Sequence, residues 1–280
     1  MGIIWNINLA IGKFFDLILA PFASLNPFWG LAFVSLLTGA IMVIIFKFVS
    51  NQEGIRLAKA KVRGHFLEVW LYKHDFPTVI GAVGRILKAN LKYMRYAVSP
   101  LIVLMIPVIL IMVQLNLYYG FHPLKPGETA LLTVKWDNPA ALNDSTLTAS
   151  TEFGITIETA AVLAKPKNEA AWRFQARRPG KHIITIAWQG GEVTKEIIVG
   201  AGEVVRLSPI RSDESSLMNA LFSPGEKPIP SNIGVKSIAI KSYREARNGV
   251  LGMEIHWIII FFVLSIVAGF ALKGVFKVEI

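Results

Sequence analysis

Three long uncharged apolar runs constrain this 280-residue chain more than any other feature of its sequence. They cover residues 29–46, 96–121 and 255–272, and none contains Asp, Glu, Lys or Arg. A helix needs about 20 apolar residues to cross the hydrocarbon core of a bilayer. Because the apolar side chains of each run cover the whole helix circumference, membrane spans are favoured over buried helices of a soluble protein.

The composition agrees with a membrane protein. Charged residues make up 17% of the chain and the mean hydropathy is +0.51, whereas a soluble domain carries about a quarter charged residues. The sequence therefore predicts three transmembrane helices, over residues 27–48, 97–119 and 253–273.

The N-terminal segment, residues 1–22, is apolar but carries four polar interruptions, at Asn6, Asn8, Lys13 and Asp16. A secretory signal would begin with basic residues, whereas Lys13 comes late. We expect an amphipathic helix that lies in the membrane interface and ends at Pro21. A fourth membrane span is the alternative.

The distribution of charge predicts the orientation. Residues 47–95 hold 10 Lys and Arg but only 3 acidic residues, and short basic segments stay in the cytoplasm. The tail, residues 274–280, is expected on the same side, and residues 120–249 outside. Lys241, Arg244 and Arg247 argue for the opposite orientation, but long domains cross a membrane largely regardless of charge. The chain contains no cysteine, which is typical of a bacterial envelope protein, so we expect a bacterial inner-membrane location.

The cytoplasmic segment, residues 50–95, shows two helical patterns separated by a turn at residues 73–77. The apolar positions are Ile55, Ala58, Val62, Phe66 and Val69 in the first helix, and Val79, Val83, Ile86 and Met94 in the second. The simplest arrangement is a hairpin of two antiparallel helices that pack stripe against stripe.

Basic residues cover the outside of this predicted hairpin. The candidate docking residues are Arg56, Lys59, Arg63, Arg85, Lys88, Lys92 and Arg95. One interpretation is contact with anionic membrane lipid, and the other is docking of an acidic partner such as the ribosome. No aromatic residues alternate with these charges, so base recognition is not indicated and DNA is not an expected partner.

Within the predicted spans, small residues and a proline indicate close or irregular helix packing. Ser265 and Gly269 form a pair of small residues four apart, Gly39 lies in the middle of the first span, and Pro107 interrupts the second.

Within residues 120–249, apolar and polar residues alternate as they do in β-strands. Six runs separated by Gly, Pro, Asn and Asp occur between residues 126 and 200, and residues 235–243 give a seventh. The letters QGGE between two of the runs predict a hairpin. These features are typical of an immunoglobulin-like β-sandwich, with Trp136, Trp172 and Trp188 in its interior.

Catalytic signatures are not evident in the sequence. The five histidines are scattered without a metal-binding spacing, and the glycines of GAVGRI, residues 81–86, have no P-loop lysine. We therefore expect no enzyme activity, no cofactor, no metal and no small-molecule substrate. The predicted fold class is an α-helical membrane protein with an inserted all-β domain.

Four stretches are similar to one family. NPFWGLAFVSLLTGAIMVIIF, FVSNQEGIRLAKAKV, LYKHD and SPLIVLMIPVIL resemble the first core span, the hairpin and the proline-containing span of the YidC/Oxa superfamily of membrane protein insertases, three-span type. The resemblance implies an outside N-terminus and a role in insertion. Bacterial members carry an arginine in the first core span, where this chain has Ile41, and three-span relatives lack the extracytoplasmic β-domain.

Two functions follow as expectations. The first is an insertase-like factor that acts on client helices, and the hairpin topology favours it. The second is an accessory subunit of a larger membrane complex that binds a partner through its β-domain. The lack of charge within the spans favours this second function.

Overall fold

The computed structural model describes residues 2–138, 142, 146–151, 153–200, 204–215, 217–250 and 253–279. The chain forms two compact units. The first unit comprises Met1–Leu31 and Leu110–Ile258, and the second comprises Ala32–Ile109 and Ile259–Ile280.

The structure combines α-helices with antiparallel β-sheets. The helices are α1 (Gly2–Leu19), α2 (Pro27–Val49), α3 (Gln52–Leu71), α4 (Phe76–Tyr119), α5 (Leu217–Phe222) and α6 (Trp257–Leu272). The strands are β1 (Thr129–Trp136), β2 (Thr148–Thr151), β3 (Ile155–Ile157), β4 (Val162–Ala164), β5 (Glu169–Ala176), β6 (Gly180–Trp188), β7 (Gly191–Val199), β8 (Ile210–Ser212), β9 (Val235–Ile240), β10 (Arg247–Val250) and β11 (Met253–His256). Of the described helices, α2 and α4 are long and apolar enough to cross a membrane.

The N-terminal segment forms α1, followed by a 3₁₀ helix at Ala20–Phe22. One face of α1 is buried in the first unit through Trp5, Phe15 and Leu19, at the spacing of an amphipathic helix. The opposite face exposes Phe14 and Leu17. One side of α1 is therefore packed, and its outer surface mixes apolar and charged side chains.

Helix α4 is one continuous helix of 44 residues, about 66 Å long at 1.5 Å per residue. The expected second helix of the hairpin and the expected span 97–119 are therefore parts of one element. The helix continues without a break from its basic half to its apolar half, so a change in side-chain chemistry marks the boundary between them. Pro100 and Pro107 both lie inside the helix, where each leaves one carbonyl without its usual donor.

The buried faces of α3 and α4 differ from the expected stripes. Buried or partly buried positions on α4 recur at Val79, Ala82, Ile86, Ala89 and Tyr93, which is helical spacing. Phe66, Val83 and Met94, which the sequence pattern placed on the packed faces, are exposed. Apolar size guided the sequence prediction, whereas the small side chains of Ala82 and Ala89 are readily covered by their neighbours.

The β-rich part of the first unit contains two main sheets. One has the order β3–β5–β1–β9–β8, with β4 also paired to β5, and the other has the order β2–β6–β7. Every pair of strands is antiparallel. One of the six runs that the sequence predicts as single strands is GITIETAAVLA, residues 154–164. It is divided into β3 and β4, and both pair with β5.

Both sheets contribute to one apolar core. The buried side chains include Leu132 of β1, Phe174 of β5, Ile186 of β6 and Ile197 of β7. Trp136 of the first sheet meets Trp188 of the second edge to face, with ring centroids 6.2 Å apart. The alternating apolar residues of the strands therefore face each other across the two sheets.

The third apolar run begins as a strand rather than as a helix. Met253–His256 forms β11, paired with β10, and α6 follows with 16 residues. This helix begins four residues after the expected start of the third span, because the backbone groups of β11 are satisfied in the hairpin. A helix of this length extends about 24 Å, against a hydrocarbon core of about 30 Å.

Candidate functional site

The predicted small residues of α2 and α6 lie against each other. A Cβ atom added to Gly39 would meet the carbonyl oxygen of Ser265, and it would lie 2.8 Å from the Cβ of Ala268. Gly269 lies one turn after Ser265, with a Cβ position 3.4 Å from Val43. The two helices approach closely at Gly39 because glycine has no side chain and the residues that face it on α6, Ser265 and Ala268, are small.

An apolar groove lies beside this contact, with a cavity volume of about 270 Å³. We call it the three-helix groove, because α2, α4 and α6 all line it. Its lining residues are Thr38, Gly39, Met42, Val43 and Phe46 of α2, Leu101, Leu104 and Val108 of α4, and Phe261, Phe262, Ser265, Ile266, Gly269 and Phe270 of α6. No lining residue carries a charge.

The two hydroxyl groups in the lining are already used. The Oγ1 of Thr38 donates to the carbonyl of Val34 at 2.7 Å, and the Oγ of Ser265 donates to the carbonyl of Phe262 at 3.1 Å. Each bond lies within its own helix, so the hydroxyl presents its methyl or methylene side to neighbours. The groove therefore has an apolar surface, and a polar ligand would lose its hydration there without gaining a partner.

Pro107 lies in α4 next to Val108, which lines the three-helix groove. Because the proline has no N–H, the carbonyl of Val103, four residues earlier, lacks its usual donor. Of the four residues predicted for helix packing, Gly39, Ser265 and Gly269 meet at one place, and Pro107 is adjacent in sequence to the groove lining.

Helices α3 and α4 are linked by a charged cluster on the hairpin. Glu68 accepts a hydrogen bond from Arg85 and lies 3.0 Å from the Nδ1 of His65. The hydrogen bond with His65, and then the one with Arg85, hold the pKa of the Glu68 carboxyl below its ordinary value. Arg85, predicted as a docking residue, therefore ties α4 to α3.

The other predicted docking residues remain at the surface. Arg56, Arg63, Lys88, Lys92 and Arg95 are exposed, and Lys59 is partly buried. On α4 the charges follow one another at intervals of three or four residues, which places them on one side of the helix. Among the described residues no acidic side chain pairs with Lys88 or Arg95.

The segment after α6 returns to α3, which the sequence did not predict. The backbone N–H of Glu279 donates to the Oε1 of Gln52 at 2.7 Å, and its carboxylate lies 3.4 Å from the Nζ of Lys59. Val278 is buried in a cluster with Phe46 and Ile55. These contacts fix the residues that follow α6 against the start of the basic hairpin.

The first unit contains a buried ion pair that the sequence analysis also missed. The Nζ of Lys195 contacts the carboxylate of Glu226 and donates to the carbonyl of Ser208 at 2.7 Å. Its side chain has no exposed surface, and burial lowers the pKa of Lys195 while Glu226 opposes the shift. The signal was present, because Lys195 occupies an inward position between Val193 and Ile197 in the alternation of β7.

A polar cleft of about 550 Å³ lies over this ion pair. Arg206 crosses it from the segment after β7 to α1, with its Nη1 3.4 Å from Asp16. Gly12 makes room for the guanidinium, because a Cβ there would lie 2.7 Å from the Nη1. The cleft mixes both signs of charge, and carboxylates or carbonyls of the unit itself hold Lys181, Arg206 and Arg211. We therefore interpret it as a structural junction.

Comparison with known proteins gives no match. No family model matches the chain, and neither a curated protein nor a solved structure does. Within the part of the chain that the structure describes, no group of three His, Cys, Asp or Glu side chains is placed to hold a metal ion. The three-helix groove and the basic hairpin are therefore the features on which a functional interpretation depends.

Proposed function

We propose that this chain is a non-enzymatic, multi-pass protein of the bacterial inner membrane that acts in membrane protein insertion or assembly. The observation that carries the proposal is the three-helix groove, whose hydroxyl groups are satisfied within their own helices. An apolar helix can lie in such a groove without leaving a polar group unpaired, and close packing rather than hydrophobicity would hold it there. The client is therefore a hydrophobic segment of another membrane protein.

The proposed arrangement in the membrane follows from helix length and charge. Helix α2 has 23 residues, about 35 Å, which is enough for a core of about 30 Å. The apolar half of α4 provides the second span, and α6 with its neighbouring residues provides the third. These helices expose many large apolar side chains, which are suited to lipid contact; they include Leu36, Ile102, Ile106, Ile259 and Val267.

The orientation in this proposal rests on the basic hairpin. Residues 47–95 are cytoplasmic because they carry the excess of Lys and Arg. Residues 120–249, with the antiparallel sheets, then form an extracytoplasmic domain of immunoglobulin-like type. The exposed cations Lys88, Lys92 and Arg95 are available to the ribosome or to another acidic partner at the place where new membrane proteins emerge.

Site-specific photocrosslinking tests the role of the groove. A photoreactive amino acid replaces Ile266, which lines the groove and is 54% exposed. The matched control replaces Val267, which is 57% exposed but lies outside the lining. The two positions differ by about 100° around the helix, so they sample different faces with similar accessibility.

The expected result is that Ile266 crosslinks to many newly made membrane proteins, whereas Val267 crosslinks to lipid or to no protein. Equal crosslinking from both positions would contradict a client site in the groove. Crosslinks from Ile266 to one protein only would support the second candidate function instead.

The second candidate is a structural subunit of a larger membrane complex. It is favoured by the lack of any charged side chain in the groove lining, since the bacterial insertases that the sequence resembles use an intramembrane arginine. In that case the spans pack permanently against other subunits, and the β-domain binds an extracytoplasmic partner. Depletion of the chain separates the two functions: loss of many membrane proteins supports insertion, and loss of one complex supports a subunit.

A further inference from the structure

Four cations from two distant parts of the sequence gather at one hollow of the second unit. Lys59 and Arg63 lie one turn apart on α3, and Lys273 and Lys277 follow α6. Together with Gly274, Val278 and Glu279 they line a cavity of about 450 Å³. We call this set the cationic hollow. Only Lys59 and Arg63 were predicted as docking residues from sequence.

The charges of the hollow do not cancel. Its one acidic lining residue is Glu279, which pairs with Lys59 at 3.4 Å. The remaining three cations therefore leave an excess of three positive charges, and no acidic side chain among the described residues pairs with Arg63, Lys273 or Lys277. Like charges held together repel one another unless an anion lies between them.

The residues after α6 are held in place by specific contacts. The N–H of Val278 donates to the carbonyl of Lys273 at 2.9 Å, and the N–H of Lys277 donates to that of Gly274 at 3.3 Å. Lys277 has φ 53°, a left-handed conformation that residues with a Cβ rarely adopt. Burial of Val278 with Phe46 and Ile55 maintains this turn. The turn brings Lys273 and Lys277 to the same hollow as Arg63.

The position of the hollow indicates what kind of anion it meets. Lys273 directly follows Leu272, the last residue of the apolar helix α6. Val278, in the wall of the hollow, packs against Phe46 near the end of the apolar helix α2. Cations at the end of apolar helices lie at the depth of lipid headgroups, where basic pockets bind anionic phospholipids.

We propose that the cationic hollow binds the phosphodiester headgroup of an anionic phospholipid of the cytoplasmic leaflet. Arg63 provides a planar fork that suits two phosphate oxygens, and Lys273 and Lys277 contribute point charges from the opposite wall. The lipid links α6, which lines the three-helix groove, to α3. This inference rests on the proposed membrane placement of α2 and α6, but not on the insertion of clients.

Thermal unfolding of the full chain in a neutral detergent tests the proposal. Dioleoyl phosphatidylglycerol and cardiolipin are added, and dioleoyl phosphatidylcholine, inorganic phosphate and oligouridylate are added separately at equal phosphate concentration. The anionic lipids are expected to raise the Tm by at least about 2 °C, since a ligand that binds only the folded state stabilises it. Raising the salt to about 1 M should reduce the shift, because it screens exposed charges.

The variant Arg63→Gln/Lys273→Gln/Lys277→Gln is expected to lose the lipid-dependent shift. The control Lys88→Gln/Lys92→Gln/Arg95→Gln removes the same charge from the outside of α4 and should keep it. If the first variant does not fold, Lys277→Gly replaces it, since glycine accepts the observed φ, and about half of the shift or less should remain.

Three results would overturn the proposal: an equal shift with phosphatidylcholine, an unchanged shift in the cationic-hollow variant, or a larger shift with oligouridylate. A shift with inorganic phosphate as large as that with lipid would show that the hollow takes any phosphate and would also overturn the lipid assignment. Failure here leaves the crosslinks from Ile266 unaffected, so the two proposals fail separately.

Discussion

Gly39 of α2 lies so close to the main chain of α6 that a single added carbon would touch the carbonyl oxygen of Ser265. This contact joins two apolar helices without any ion pair, and it forms one edge of the three-helix groove. Helices in lipid gain little from burying apolar surface, because lipid is equally apolar. In the proposed membrane placement, close backbone approach at small residues is therefore the principal means by which α2 and α6 associate.

Replacing Gly39 by leucine should separate α2 from α6. The new side chain has no space beside Ser265 and Ala268, and overpacking of this kind costs about 1–3 kcal/mol. We expect a lower Tm of the detergent-purified chain and weaker crosslinking from Ile266. A Gly39→Leu variant with unchanged Tm would show that the two helices are not in contact in the folded protein.

Gly64 of α3 and Gly84 of α4 provide the matched control. An added Cβ at either position meets nothing within 4 Å, and both residues are inside helices. Gly64→Ala and Gly84→Ala should each raise stability by about 0.5–1 kcal/mol through helix propensity alone. If Gly39→Leu lowers the stability while Gly64→Ala and Gly84→Ala raise it, the effect at Gly39 comes from packing and not from helix propensity.

Glu226→Gln should destabilise the first unit more than any surface substitution. The change preserves the shape of the side chain but leaves the charge of Lys195 buried without its counterion, and loss of one partner of a buried pair costs about 3–5 kcal/mol. Hydrogen exchange of β7 in the full chain is the appropriate measurement, since β7 carries Lys195.

The double variant Lys195→Met/Glu226→Leu tests whether the unpaired charge, rather than lost packing, destabilises the Glu226→Gln variant. Replacing both charges with apolar side chains of similar volume removes the desolvation cost together with the attraction, and the effect is often near neutral. Exchange rates of β7 close to wild type are expected. If the double variant is as unstable as Glu226→Gln, the pair has a role in packing that charge does not explain.

The α3–α4 connection should weaken in acid. The folded-state pKa of Glu68 lies below its ordinary value, so the folded hairpin binds fewer protons there than the unfolded chain. Its stabilising contribution is complete above the ordinary pKa of 4.5 and is lost as the pH falls through the lowered folded-state value. Spin labels on α3 and α4 should report a wider distance distribution in acid, and Glu68→Gln should abolish that pH dependence.

The absence of cysteine from the chain makes its orientation directly measurable. Lys88→Cys on α4 and Lys236→Cys on β9 each introduce one exposed thiol. A membrane-impermeant maleimide added to intact spheroplasts is expected to label Lys236→Cys at once, and Lys88→Cys only after the membrane is permeabilised. The reverse pattern would invert the orientation and with it the proposed encounter with the ribosome.

The pattern of apolar and polar residues predicted helices and strands correctly where burial of apolar side chains is the main requirement. Long uncharged runs form α2 and the second half of α4, because a run of about 20 apolar residues is too long for a typical strand and suits a helix. The alternation in residues 180–199 forms β6 and β7, with Gln189 and Gly190 at the turn. The same reasoning failed at residues 253–256, where an apolar segment pairs as a strand with β10 instead of starting the helix.

The pattern of apolar and charged residues did not predict the contacts between segments that are distant in the sequence. Nothing in the local sequence indicates that Glu279 returns to Gln52 and Lys59, or that Glu226 reaches the inward position of Lys195. Each pairing depends on the path of more than twenty intervening residues, and any of several acids satisfies the same local chemistry.

Sequence alone therefore determined most of the apolar helices and most of the strands, because these depend on hydration and on short-range periodicity. The tertiary structure decided which small residues meet, that Gly39 meets Ser265, and that Lys273 and Lys277 join Arg63 in one hollow. Such contacts are fixed by the joint packing of several elements, and that packing is a property of the whole chain.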